Sequence, residues 1–157
     1  MKPHSDSLER FIIAQEKESS YDLALRELCA GYKRSHWIWY ILPQLRGLGR
    51  SSMSYQYGVA DLYEAEAYLA HPVLGLRLIE CVRAIFAHKD KSATQILGDL
   101  DAMKFRSCLT LFAAVAEPDS IFHEALAQFF ESQPDPATLT QLDVALTPII
   151  VWRREAQ

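Results

Sequence analysis

Leu74, Leu78, Val82 and Ile85 recur at intervals of three and four residues, which is the spacing of one face of an α-helix and not of a strand. The His71-Pro72 break precedes this segment, and Pro72 suits a first helical position. Similar punctuation recurs along the chain. Asp6 with Glu9, Asp61 with Glu64 and Ser92 with Gln95 read as capping-box pairs. Gly31 and Gly98 read as helix stops. Pro118, Pro134-Asp135-Pro136 and Pro148 separate the later helices, expected at about 101–116, 119–131 and 138–147. Leu8, Phe11 and Ile12 give a first helix at about 7–17. The run from Trp37 to Leu42 fits a buried strand or a short buried helix. Ser35 as a possible N-cap and the helical neighbours favour helix. The expected fold is therefore mainly α, a single-domain array of about seven helices over residues 1–157 with little or no sheet. The apolar tail Ile149-Ile150-Val151-Trp152 is expected to pack back on the body.

The chain's 157 residues are half hydrophobic and 23% charged, enough for one core. No apolar run reaches the length of a membrane span, and the N-terminus lacks the apolar stretch of a signal peptide. Cys29, Cys81 and Cys108 are an odd count without a CxxC pair, which argues against disulfides and zinc. They read as small buried residues of a cytoplasmic protein. The net charge of −4 argues against binding a nucleic-acid duplex. No HExxH, HxH or cofactor motif is present, so neither a metal nor a cofactor is expected. His71 reads as part of a helix junction and His88 as the cationic end of a helix.

One stretch departs from this ordinary composition. From Leu28 to Ala60 there is no Asp or Glu, while Lys33, Arg34, Arg46 and Arg50 are present. The same stretch holds Tyr32, Trp37, Trp39, Tyr40, Tyr55 and Tyr57. Arginine offers forked donors to phosphate or carboxylate. The turn from Gly47 through Gly49 to Ser51 would let backbone N–H groups approach an anion. Trp37 and Trp39 offer stacking faces, Gln44 a directional hydrogen bond, and His36 an acid or base near neutral pH. The competing reading makes the tryptophans core anchors and pairs the cations with the acidic remainder.

A second group lies on the helix around residue 104. Phe105, Cys108, Leu109, Leu111, Phe112 and Val115 share an apolar face, opposite Arg106, Ser107 and Thr110. Lys104 falls on the apolar side, where it either snorkels outward or meets an anion in a pocket. Cys108 lies near Lys104 and Arg106, a setting in which a low-pKa thiolate is conceivable, but no histidine base is placed beside it.

Taken together, the chain resembles a bacterial family of unknown function, number 1810 among such families. The likeness rests on Leu8-Glu9-Arg10-Phe11, Lys33-Arg34-Ser35-His36-Trp37-Ile38-Trp39 and Pro43-Gln44-Leu45-Arg46-Gly47-Leu48-Gly49 with Ser51. Tyr57-Gly58-Val59, His71-Pro72-Val73-Leu74, Lys104-Phe105-Arg106-Ser107 and Thr110-Leu111-Phe112 extend it. The resemblance implies a mainly helical cytoplasmic domain and no established activity. Members are sometimes labelled calpastatin-like, yet a calpain inhibitor is expected to be repetitive and disordered, and this chain is neither.

Two functions remain open from sequence. One is a domain that binds a small anionic, nucleotide-like ligand, as a hydrolase or transferase, through Arg34, Trp37, Trp39, Gln44, Arg46, Gly47, Gly49, Ser51 and Lys104, with His36 as acid or base. The other is a non-enzymatic helical module whose carboxylate-free face docks an acidic protein.

Overall fold

In a computed structural model, residues 5–146 are described. The expected tail segment Ile149–Trp152 and residues 1–4 lie outside them. Seven helices of nine residues or more carry the fold: α1 (Ser5–Glu16), α2 (Ser20–Ala30), α5 (Leu62–Ala70), α6 (Leu74–Phe86), α8 (Asp99–Ala113), α9 (Ile121–Phe130) and α10 (Pro136–Leu146). Three single-turn helices lie between them: α3 (Ile38–Ile41), α4 (Ser52–Gln56) and α7 (Ala93–Leu97). A short 3₁₀ turn, Lys17–Ser19, joins α1 to α2. Among the described residues the β-structure is one isolated parallel bridge, Leu45 with Val59. No helix of the described residues is long and apolar enough to cross a membrane.

The punctuation acts locally as expected in several places. Gly31 ends α2 at φ 81°, and its N–H reaches the carbonyls of Glu27 and Leu28. Ser92 and Gln95 form both halves of a capping box, at 3.0 and 2.8 Å. The run 37–42 contains a helical turn, α3, but Trp37 and not Ser35 precedes it. Other expectations are corrected. Asp6 stands inside α1, which begins at Ser5. Asp61 caps α5 by accepting from Glu64 N at 2.9 Å, while the Glu64 side chain turns elsewhere. Pro72 lies two residues before α6, and His71 Nδ1 accepts from Val73 N and Leu74 N to cap that helix. His88 does not serve its own helix end: its Nε2 meets the Leu28 carbonyl at 2.8 Å, at the end of α2. Helix α4 carried no periodic signal, being too short to show one.

Helix α8 is the central post, packed by α5, α7, α9 and α10. Phe105, Cys108, Leu109, Leu111 and Phe112 are fully buried on it. Its expected polar arc is not solvated either. Ser107 and Thr110 are buried because α10 begins against them. Ser107 Oγ donates to Asp135 Oδ2 at 3.0 Å, and Asp135 N donates to Thr110 Oγ1 at 2.8 Å. Asp135 Oδ2 also accepts from Thr138 N and Thr138 Oγ1, which caps α10.

A second polar hub ties α1 to the rest. Glu64 is buried and accepts from Ser7 Oγ at 2.6 Å, Arg10 Nη1 at 3.1 Å and Ala60 N at 2.8 Å. Arg10 also donates to the carbonyls of Gln56 and Gly58, each at 2.8 Å. Burial would raise the Glu64 carboxyl, but the Arg10 guanidinium and the other donors outweigh it and hold the group below its usual value.

Helices α5 and α6 meet so closely that a Cβ on Gly75 would overlap the Leu69 carbonyl oxygen. The atom in the way belongs to the backbone and cannot swing aside as the end of a side chain can. Gly75→Ala is therefore expected to cost about 3 kcal/mol or more in urea unfolding, at the upper end of overpacking. A cost below 1 kcal/mol would mean the two helices slide apart freely.

Candidate functional site

The carboxylate-free stretch folds around a carboxylate just outside it. Glu27, buried on α2, accepts from Arg34 N at 2.9 Å, Ser35 N at 3.0 Å, Ser35 Oγ at 2.6 Å and Trp37 Nε1 at 2.9 Å. Burial would raise its carboxyl, but these four donors overcome that and lower it to about 2. The loop from Arg34 to Trp37 is thereby clamped onto the end of α2. Lys33 continues the clamp, with its backbone N–H on the Ile96 carbonyl at 2.8 Å and its ammonium 2.8 Å from Asp101 Oδ2. This is the pairing with the acidic remainder that composition allowed.

Beyond the clamp, the segment runs along α8 and makes a cleft with it. The cleft holds about 270 Å³ and is lined by Gln44 and Gly49 on one side and Lys104, Arg106, Ser107 and Asp135 on the other. Leu48, Leu100 and Met103 add an apolar edge. Lys104 lies with its ammonium 5.4 Å from the centre of the Trp39 ring and 3.7 Å from Asp101 Oδ1. The Trp39 indole Nε1 is buried and has no hydrogen-bond partner among the described residues. Beside it is a void of about 10 Å³, lined by Trp39, Gln44, Ser54, Tyr57, Gly58 and Lys104. That is room for about one water or one ligand oxygen. Gln44 and Lys104 line both the void and the larger cleft. Arg106 directs its Nε to the Gln133 carbonyl at 2.9 Å and lies over Phe130.

His36 goes elsewhere. It is exposed, on a separate cleft of about 460 Å³ shared with Lys17, Glu18, Ser35, Tyr40 and Tyr57. Tyr40 and Tyr57 meet edge to face there, 5.3 Å apart, and the Tyr40 hydroxyl is 2.8 Å from Ser20 Oγ. The imidazole and Gln44 therefore do not converge, and His36 is not placed to act on a ligand held beside Lys104.

The remaining expected residues divide plainly. Trp37 is 1% exposed with its indole N–H spent on Glu27, so it is a core anchor and offers no stacking face. Arg34 is exposed over Tyr32. Arg46 lies over Tyr55 and donates to the Tyr55 carbonyl at 3.1 Å, so it lines neither cleft. Gly47 adopts φ 104° and faces Gln141 of α10. Gly49 admits Ser54, whose Oγ a Cβ would strike. Ser51 caps α4 by accepting from Ser54 N at 3.0 Å. The imagined anion cradle from Gly47 to Ser51 is thus packing and capping, apart from Gly49 on the cleft wall. Cys29 is exposed, contrary to expectation, and Cys81 and Cys108 are buried. Burial pushes the Cys108 thiol well up, which removes a thiolate there. No group of three or more His, Cys, Asp or Glu among the described residues is arranged to hold a metal.

Reasoning from sequence missed Glu27, Asp101, Arg106 and Asp135. Asp135 alone had a local signal, as a residue before Pro136 at a helix start. Glu27 and Arg106 act across 7 to 27 positions and Asp101 reaches Lys33 across 68, although its contact with Lys104 is a local i,i+3 pair.

The family described as "Protein of unknown function (DUF1810)" matches residues 5–142. The crystal structure of the conserved hypothetical protein Rv1873 from Mycobacterium tuberculosis is similar, with 40% sequence identity and a TM-score of 0.83. That likeness covers 86% of this chain and 95% of the other. No curated protein matches.

The clamp has a pH signature. The Glu27 carboxyl titrates near 4.5 when unfolded and near 2 when folded, so its contribution is full above 4.5 and is lost as pH falls towards 2. Unfolding followed by circular dichroism should show stability declining over that window. Glu27→Gln should flatten the decline and cost about 2–3 kcal/mol at pH 7, because one acceptor becomes a donor facing donors. An unchanged acid limb in that variant would discount the clamp.

Proposed function

Because the chain belongs to the DUF1810 family, whose description assigns no activity, we propose its function from the cleft beside α8: it binds a small anion there. The observation that carries this reading is the unpartnered N–H of Trp39, a residue that lines a one-oxygen void together with Lys104 and Gln44. A buried donor without an acceptor is costly, about 1–3 kcal/mol, and a water or a ligand oxygen relieves that cost. An anionic oxygen gains more, because the ammonium of Lys104 sits beside the same void.

Charge in the larger cleft favours the same ligand. Lys104 and Arg106 line the cleft with one carboxylate, Asp135, whose Oδ2 already serves Ser107 and Thr138, and the Asp101 beside Lys104 is shared with Lys33. The edge of Leu48, Leu100 and Met103 suits a short apolar part on the ligand. A carboxylate or a phosphate ester fits this description. A stacked base is less well served, since Trp37 is buried and Lys104 lies over the face of Trp39. The Ser107 hydroxyl meets the Asp135 carboxylate in the cleft wall, but that oxygen is committed to Thr138 in capping α10, so binding is supported better than hydrolysis or group transfer. The edge is interrupted by a concave, donor-lined hollow, which favours a small ligand over a docked acidic protein.

A thermal-shift series with aliphatic carboxylates, sugar phosphates and nucleotides tests this. At a hundredfold excess over Kd a ligand adds ~2.7 kcal/mol, about 5–10 °C for a domain of this size. The shift should vanish in Lys104→Met and in Trp39→Phe and persist in Lys17→Met, whose side chain lines the other cleft. A hit that survives Lys104→Met would place the ligand elsewhere and overturn the reading.

A further inference from the structure

We infer that the His36 cleft is a second, independent site, and that it takes a small zwitterion: a free amino acid with an apolar or aromatic side chain. On one rim, Glu18 and Ser19 both adopt left-handed backbone, φ 54° and 57°, without being glycine. Such residues are strained by about 1 kcal/mol or more each and gather where a surface is shaped for a ligand. The opposite rim is rigid for a different reason, since Glu27 holds Ser35 and Trp37 on either side of His36.

The charges on this rim are unusual. Lys17 and Glu18 line the same cleft, and the side chain of neither forms an ion pair or hydrogen bond among the described residues. A simple anion would meet Glu18, and a simple cation would meet Lys17. A molecule carrying both charges satisfies both. Its carboxylate goes to Lys17 and the His36 imidazole, and its ammonium goes to Glu18. The inner wall then receives the side chain, because Leu23, Met53, Tyr40 and Tyr57 line it. The volume of about 460 Å³ is within the range of sites for small metabolites. The cleft beside α8 lacks this pairing, since its carboxylate is already committed to capping α10.

The test uses the whole chain and two-dimensional NMR, with free L-phenylalanine and L-methionine as probes at millimolar concentration. Either probe should shift the His36 ring and the Tyr40 and Tyr57 signals. N-acetyl-L-phenylalanine, which lacks the ammonium, and L-phenylalaninamide, which lacks the carboxylate, should each bind about fivefold more weakly, the worth of one exposed charge contact. Glu18→Gln should weaken the free amino acid by the same factor and leave the N-acetyl derivative unchanged. Lys104→Met should leave all of these affinities unchanged, which separates this site from the one beside α8. No shift at His36 with either free amino acid overturns the proposal. Equal binding of the free and the capped forms overturns it as well.

Discussion

The buried carboxylate of Glu27 sets the course of the chain between α2 and α8. Four donors from the next ten residues converge on it. Without it, two backbone N–H groups and a buried indole N–H would lie unpaired under the core. The clamp decides that Trp37 points inward and that His36 points out. It also starts the segment on the path that brings Trp39 and Gln44 to α8.

The absence of acidic residues from 28 to 60 acquires a structural meaning from this. Several of the segment's donors and its Lys33 are answered from outside it: by Glu27 just before it, Glu64 just after it, and Asp101 from across the fold. Arg10, bound to Glu64, also holds the carbonyls of Gln56 and Gly58 and so fixes the segment's far end. The Leu45–Val59 bridge closes the same loop from inside. A carboxylate within the segment would compete for these donors. Its positive charge is thus partly a device of folding, and the cations that line the cleft, Lys104 and Arg106, come from α8 instead.

Much of the frame was legible because helix starts and stops are local. Gly31 and Ser92 with Gln95 act over three or four positions, within the reach of one side chain or turn. The readings that failed also had a local form. Gly47 to Ser51 looks like an anion cradle, but Gly47 faces α10 and Ser51 caps α4, and both outcomes depend on what packs nearby. Ser107 and Thr110 look solvated on a helical wheel, but the wheel does not include α10. Lys104 was ambiguous for the same reason: its neighbour, Trp39, lies on another element.

A helical chain, the approximate extent of its long helices, and a segment of unusual composition are written locally in the residues. They follow from periodicity and from side chains acting on their own backbone. Which members of that segment share a cleft depends on packing across the fold, which sets Gln44 beside Lys104, sends His36 to the turn after α1, and buries Trp37 against Glu27. Burial and pairing are properties of the assembled core. An indole N–H is spent or left over according to which carboxylate the fold delivers to it, and that carboxylate can stand ten residues away or on another helix.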